Sequence, residues 1–123
     1  MNGTVIAATV PAFFVTTLTG CSPLHSGMTK EQIDTVINRE FSRGMPYHEV
    51  KTKVLKLGAE STSVHHLTPS EQEKEKALTT LTAELPSEVS YLRFMVATPR
   101  VVFFFDDSSE LVRHSTSIFV AGP

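Results

Sequence analysis

The sequence predicts an α+β fold: two N-terminal helices, an inserted third helix and a three-stranded antiparallel sheet, packed as a two-layer sandwich. Three observations lead there. Apolar residues recur at helical spacing between Thr29 and Leu57, in two stretches each stopped by a glycine. A polar segment opening Thr68-Pro69-Ser70-Glu71 carries helix-start chemistry of its own. From Val89 onward the apolar period becomes two. At 123 residues, with 41% hydrophobic and 20% charged, the chain has room for one modest core.

The first helix starts at Thr29-Lys30-Glu31-Gln32, a capping box, and its buried stripe is Ile33, Val36, Ile37 and Phe41. Gly44 stops it. Pro46 suits the first turn of a second helix, whose inner face is Tyr47, Val50, Val54 and Leu57 and whose end is Gly58. Residues 59–67 read as irregular or extended. Thr68 to about Leu85 reads as the inserted helix, its first half (EQEKEK) in solvent and Ala77, Leu78, Leu81 and Leu85 docking, with Pro86 closing it.

Strands follow. Leu92, Phe94 and Val96 alternate with Tyr91, Arg93 and Met95, and Thr98-Pro99 marks a bend. Val101-Val102-Phe103-Phe104-Phe105 is apolar on both faces, so both need cover. Asp106-Asp107-Ser108-Ser109 is a turn, and Leu111 to Val120 a third strand with Leu111, Arg113, Ser115 and Ser117 on one face. An exposed aromatic patch on that sheet would mark a partner surface, for which Val102, Phe104, Tyr91 and Arg93 are the candidates.

The chain before Lys30 is a different material. All 11 Lys and Arg and all 13 Asp and Glu lie at Lys30 or later. Val5 to Leu18 is apolar but short of the ~20 residues a spanning helix needs. It has the dimensions of a signal-peptide hydrophobic region, without a Lys or Arg near its start. It ends in Leu18-Thr19-Gly20-Cys21, which resembles a bacterial lipobox. That resemblance implies a diacylglyceryl group on the Cys21 sulfur, cleavage before Cys21, acylation of the new amine, and anchoring in a bilayer. Ser22 follows where an Asp would retain such a protein at the inner membrane, which implies the outer membrane facing the periplasm. The organisation expected is a signal peptide over 1–20, a tether over 21–28 and one α+β domain over 29–123.

Gly44-Met45-Pro46-Tyr47-His48-Glu49-Val50, closing at Leu57-Gly58, resembles the Gly-Met-(Ser/Thr), Glu-Val, Leu-Gly motif of the BamE/SmpA family of small lipoproteins. The motif positions are Gly44, Met45, Glu49, Val50 and Gly58. The resemblance implies two helices followed by a three-stranded antiparallel sheet, as in β-lactamase-inhibitor proteins, with the helix after Thr68 as an insertion.

Chemistry is sparse. One cysteine excludes an internal disulfide and a multi-thiolate zinc site. A net charge of −2 makes no electrostatic case for nucleic acid. No nucleophile elbow, phosphate loop or dinucleotide fingerprint occurs. Asp106-Asp107 reads as turn chemistry. The expectation is an envelope lipoprotein without cofactor or metal, no enzyme, bound to the bilayer through Cys21 and to another envelope protein through its sheet. The competing reading is a periplasmic enzyme or metal-binding domain using His65, His66 or His114. Adjacent histidines on an extended segment point to opposite faces, which opposes a shared metal.

Overall fold

A computed structural model describes residues 23–90 and 95–122. Cys21, residues 1–20 with their expected signal peptide, Tyr91 and Arg93 lie outside the described residues.

Two helices come first, α1 (Lys30–Glu40) and α2 (Tyr47–Leu57). The α1 capping box forms as its sequence dictates: the Gln32 amide N–H donates to Thr29 Oγ1, and the Thr29 N–H to Gln32 Oε1 at 2.9 Å. Between the helices Gly44 takes φ +95°, a left-handed conformation costly for other L-residues. A Cβ there would meet nothing within 4 Å, so the backbone angle alone demands the glycine.

Next come β1 (Ser61–His66), α3 (Pro69–Glu75), β2 (Thr79–Glu84), β3 (Glu88–Ser90), β4 (Met95–Phe105) and β5 (Leu111–Ala121). The sheet is therefore five-stranded and antiparallel, not three-stranded. β1 pairs with β2, β2 with one edge of β4, and β5 with the other edge. The short β3 continues the line of β2 and pairs with the start of β4. Among the described residues β1, β3 and β5 each have a single partner, with β1 and β5 outermost on opposite sides.

Two expectations fail at once in the segment after Thr68. The expected inserted helix stops at Glu75, where Lys76 turns left-handed at φ +58°. The chain then becomes β2. Leu78, Leu81 and Leu85 sit at helical spacing, but Thr79, Thr80 and Thr82 are β-branched, and Leu81, Ala83 and Leu85 alternate on one buried face. The period of two prevails because β2 is an interior strand and β4 supplies a partner edge. Leu78, expected to dock, is exposed. Residues 61–66, read only as extended, are paired as β1.

A third correction concerns Pro99, read as a bend. β4 runs straight through it. The Pro99 carbonyl accepts from the Leu85 N–H, so its missing N–H faces the gap where Leu85–Ser87 interrupts the β2–β3 line. A fourth concerns β5. A bulge between Phe104 and Phe105 pairs Leu111 with Phe105 and His114 with Phe103. Leu111 thus shares a face with His114 and Thr116 rather than with Arg113.

Both helices cover one face of the sheet. Ile33, Ile37, Phe41, Val50 and Val54 pack there against Leu81, Val101, Phe103 and Phe105. The Phe41 and Phe103 rings lie 5.0 Å apart, and Tyr47 meets Phe105 edge-on at 5.3 Å. Leu24 and Met28 belong to this same core, and the Leu24 N–H donates to the Leu57 carbonyl. The stretch 21–28, expected as a tether, is thus docked from Leu24 onward.

These placements make a direct comparison. Phe103→Ala and Leu81→Ala should each cost about 3–5 kcal/mol in urea unfolding, whereas Leu78→Ala should cost well under about 1 kcal/mol. Equal costs at Leu78 and Leu81 would return this segment to a helix. Gly44→Ala should cost about 1–2 kcal/mol through φ alone.

Candidate functional site

The doubly apolar strand is covered inside the chain. Phe104 points away from the helices yet is only 9% exposed. Leu67 and Ala77, either side of α3, pack on it with Val102 alongside. The Arg113 guanidinium lies 3.7 Å from its ring centre and donates to the Glu75 carbonyl and carboxylate, both at 2.8 Å. Val102 and Phe104 therefore form no open surface.

Four of the five motif residues, Gly44, Met45, Val50 and Gly58, have structural places. The Gly44 N–H donates to the Leu111 carbonyl at 2.8 Å, and the Leu111 N–H to the Met45 carbonyl at 2.9 Å. This short bridge covers the first residue of the β5 edge. Val50 is fully buried, Gly58 ends α2 at φ +129°, and Glu49 is exposed in the first turn of α2.

The histidines do not converge. His65 Nε2 sits 3.4 Å from Glu71 Oε1, and His66 Nδ1 sits 3.4 Å from Thr79 Oγ1. His114 lies on the opposite outer strand. Among the described residues no three His, Cys, Asp or Glu side chains are placed to hold one metal ion. A concave site of about 410 Å³ is lined by Tyr47, Val64, His66, Thr79, Phe105 and Ser109. It contains an imidazole and hydroxyls, with no carboxylate among these residues to orient them.

One polar cluster has no counterpart in the sequence analysis. Asp34 on α1 accepts from Thr116 Oγ1 on β5 and from Lys30 Nζ at 3.2 Å, and His114 Nε2 lies 3.7 Å away. A hydroxyl, an imidazole and a carboxylate are thus together, but in the wrong order for acyl transfer. A nucleophile must bond the imidazole, and here the hydroxyl bonds the carboxylate. The cluster fastens α1 to β5.

Burial sets the protonation of one member, and hydrogen bonds and charge that of the other. Burial is the main force holding His114 below the usual 6.5, opposed by the Asp34 charge and assisted by Lys30. For Asp34, burial alone would raise the carboxyl. The Thr116 and Lys30 hydrogen bonds, then the Lys30 and His114 charges, outweigh it and hold the group below 3.8. Asp34 carries no signal in the sequence because it flanks the apolar stripe of α1 beside Ile33, where exposed carboxylates are common.

What remains open is the far end of the sheet. Phe119 is 59% exposed, Val120 53% and Val89 49%, with Ile118 and Val96 also exposed. Val89 pairs with Val96, Ala97 with Val120, Thr98 with Phe119 and Pro99 with Ile118. Because alternate residues face opposite ways, this tip is apolar on both faces. Arg100 lies at its base, stacked 4.7 Å from the Phe119 ring centre and paired with Glu84 at 3.1 Å. Beyond Leu111 the outer edge of β5 is also unpaired among the described residues. The Pro99 and Phe105 carbonyls serve the β2 side, so alternation turns the backbone groups of Thr116, Ile118 and Val120 toward that open edge.

No family model, curated protein or solved structure matches the chain. No helix among the described residues is long and apolar enough to cross a membrane.

Acid should weaken the clamp between α1 and β5. Both folded-state values lie below the free ones, so the unfolded chain takes up protons first. Stability is full above pH 6.5, declines below it through His114, and declines again below 3.8 as Asp34 is lost. Urea midpoints measured from pH 8 downward should show the first decline in the native chain and lose it in His114→Gln. Thr116→Val should cost about 1 kcal/mol at neutral pH.

Proposed function

We propose that the chain is a membrane-anchored envelope lipoprotein whose folded head works by contact with another envelope protein rather than by catalysis. The observation that carries this reading is the order of features along the chain. An uncharged apolar run ends in Leu18-Thr19-Gly20-Cys21, and core packing begins almost at once, at Leu24. Acyl chains on Cys21 would hold the head at the bilayer, each buried CH₂ contributing about 0.8 kcal/mol. Ser22 directs the lipobox reading to the outer membrane, facing the periplasm. The resemblance of Gly44–Gly58 to the BamE/SmpA motif is consistent with such a place, although the added strands set this sheet apart from the three-stranded one that family implies.

The partner surface we assign is the open edge of β5. A protein segment can add there as a further strand, its main chain pairing with the groups that Thr116, Ile118 and Val120 turn outward. Few charges protect this edge: Arg113 is the one charged residue in Leu111–Ala121 other than the titratable His114.

Mass spectrometry of the membrane fraction should find the N-terminal peptide beginning at an acylated Cys21. Cys21→Ser should shift the chain out of that fraction. An unmodified peptide still carrying Met1 would defeat the anchor. Ile118→Pro should leave urea stability within about 1 kcal/mol, because the lost N–H faces outward, while abolishing crosslinks from Ser115 to an envelope partner. Persisting crosslinks would move the partner to another surface.

A further inference from the structure

The apolar tip and the start of the docked chain at Leu24 lie at the same end of the molecule. At that end β2 finishes at Glu84, β4 begins at Met95 and β5 finishes at Ala121. The chain enters the core there. The Leu24 N–H bonds the last carbonyl of α2, at Leu57, and the Glu60 N–H bonds the Glu84 carbonyl. Gly27 lies against β3, close enough that a Cβ would come within 3.1 Å of Glu88 Oε2. Glu88 pairs with Ala97, which pairs with Val120.

Leu24 is only 1% exposed, so the free length after Cys21 is short. Three residues span at most roughly 10 Å. A lipid on Cys21 therefore leaves this head no room to stand off from the membrane. The end that must approach is the end whose apolar side chains are bare on both faces.

We infer that this tip rests in the lipid surface to which Cys21 is fastened, with Phe119 and Val120 at the boundary between headgroups and acyl chains. The inference rests on the anchoring reading above. Its depth is limited by chemistry. Glu88 shares a rung with Val120 and must stay among the headgroups. Arg100, two residues along β4 from Thr98 and stacked on Phe119, can keep its guanidinium at headgroup level while its stem lines the apolar side. The arrangement fits shallow seating of about 5–10 Å and no deeper. Held so, the head has a fixed orientation, and the β5 edge stands roughly upright from the bilayer.

The chain contains no Trp, so Phe119→Trp introduces a single fluorescent reporter at the tip. The full chain would be reconstituted in phosphatidylcholine vesicles with and without brominated acyl chains. Bromine should lower the emission of this tip indole at least about twofold, while Leu78→Trp, at the opposite end beside Phe105, should not respond. An unquenched tip indole in a chain that floats with the vesicles overturns the inference. So does a tip indole already shielded from iodide before vesicles are added, which would assign the tip to a second copy or to Val5–Leu18. The N-terminal peptide mass from the same sample separates the two readings. Without acyl groups on Cys21 the anchor fails, and quenching of the Phe119→Trp variant in vesicle-bound chain still decides the tip. A chain that does not float removes both.

Discussion

The structure depends on finding cover for both faces of one strand. Val101 to Phe105 has no polar residue, so every side chain leaving β4 meets either a packed neighbour or water. Val101, Phe103 and Phe105 are covered by α1 and α2, which also explains why the helices carry single apolar stripes. Phe104 is covered differently, by the segment around α3 and by one arginine. A short helix with no buried residue of its own looks like an ornament until Leu67 and Ala77 at its two ends are seen on the Phe104 ring. The ionic contact between Arg113 and Glu75 holds that cover in place and lays the guanidinium on the aromatic face. Each of these contacts is modest, of order 1 kcal/mol, but together they close a face that would otherwise be a large apolar patch.

Much of this was legible in the residues, and the failures have physical causes. Capping boxes at Thr29 and Thr68, stops at Gly44 and Gly58, and the stripe Ile33–Phe41 are local features, and local features survive folding. The end of α3 was misread because Ala77, Leu78, Leu81 and Leu85 satisfy helical and extended spacing in part. Nothing near Leu81 says that Phe103 will lie opposite it, and a strand is defined by such a partner. Pro99 misled for the same reason. Its effect depends on which edge its missing N–H faces, a fact supplied by Leu85 from outside the strand. The β5 bulge shifted the phase of a pattern whose alternation was otherwise read correctly.

The site was less legible than the fold. The residues that stand out in the sequence are His65 and His66, which diverge, and Phe104, which is covered. Asp34 gave no signal, because its importance comes from Thr116 and His114, far along the chain. Ile118-Phe119-Val120 did carry one. Consecutive apolar residues in a strand imply apolar faces on both sides, the argument already applied to Val101–Phe105. Here no helix or loop among the described residues closes over them.

The two ends of the sheet are thus different chemical objects. At one end lie the acidic and basic side chains of α3, the Asp106 turn and the aromatic floor of Tyr47 and Phe105. At the other lie bare valines, an isoleucine and a phenylalanine, beside the place where the chain enters its core. Burying Phe119 or Val120 under a further helix on its own face would stabilise an isolated domain by about 1–3 kcal/mol. Leaving them bare is costly for solubility in water but costs little where apolar surface is already at hand. On the proposed acylation of Cys21, a bilayer held within roughly 10 Å of Leu24 would be such a surface. On that proposal, the docked stretch from Leu24, the uncovered tip and the cysteine shortly before that stretch in sequence would share a single cause.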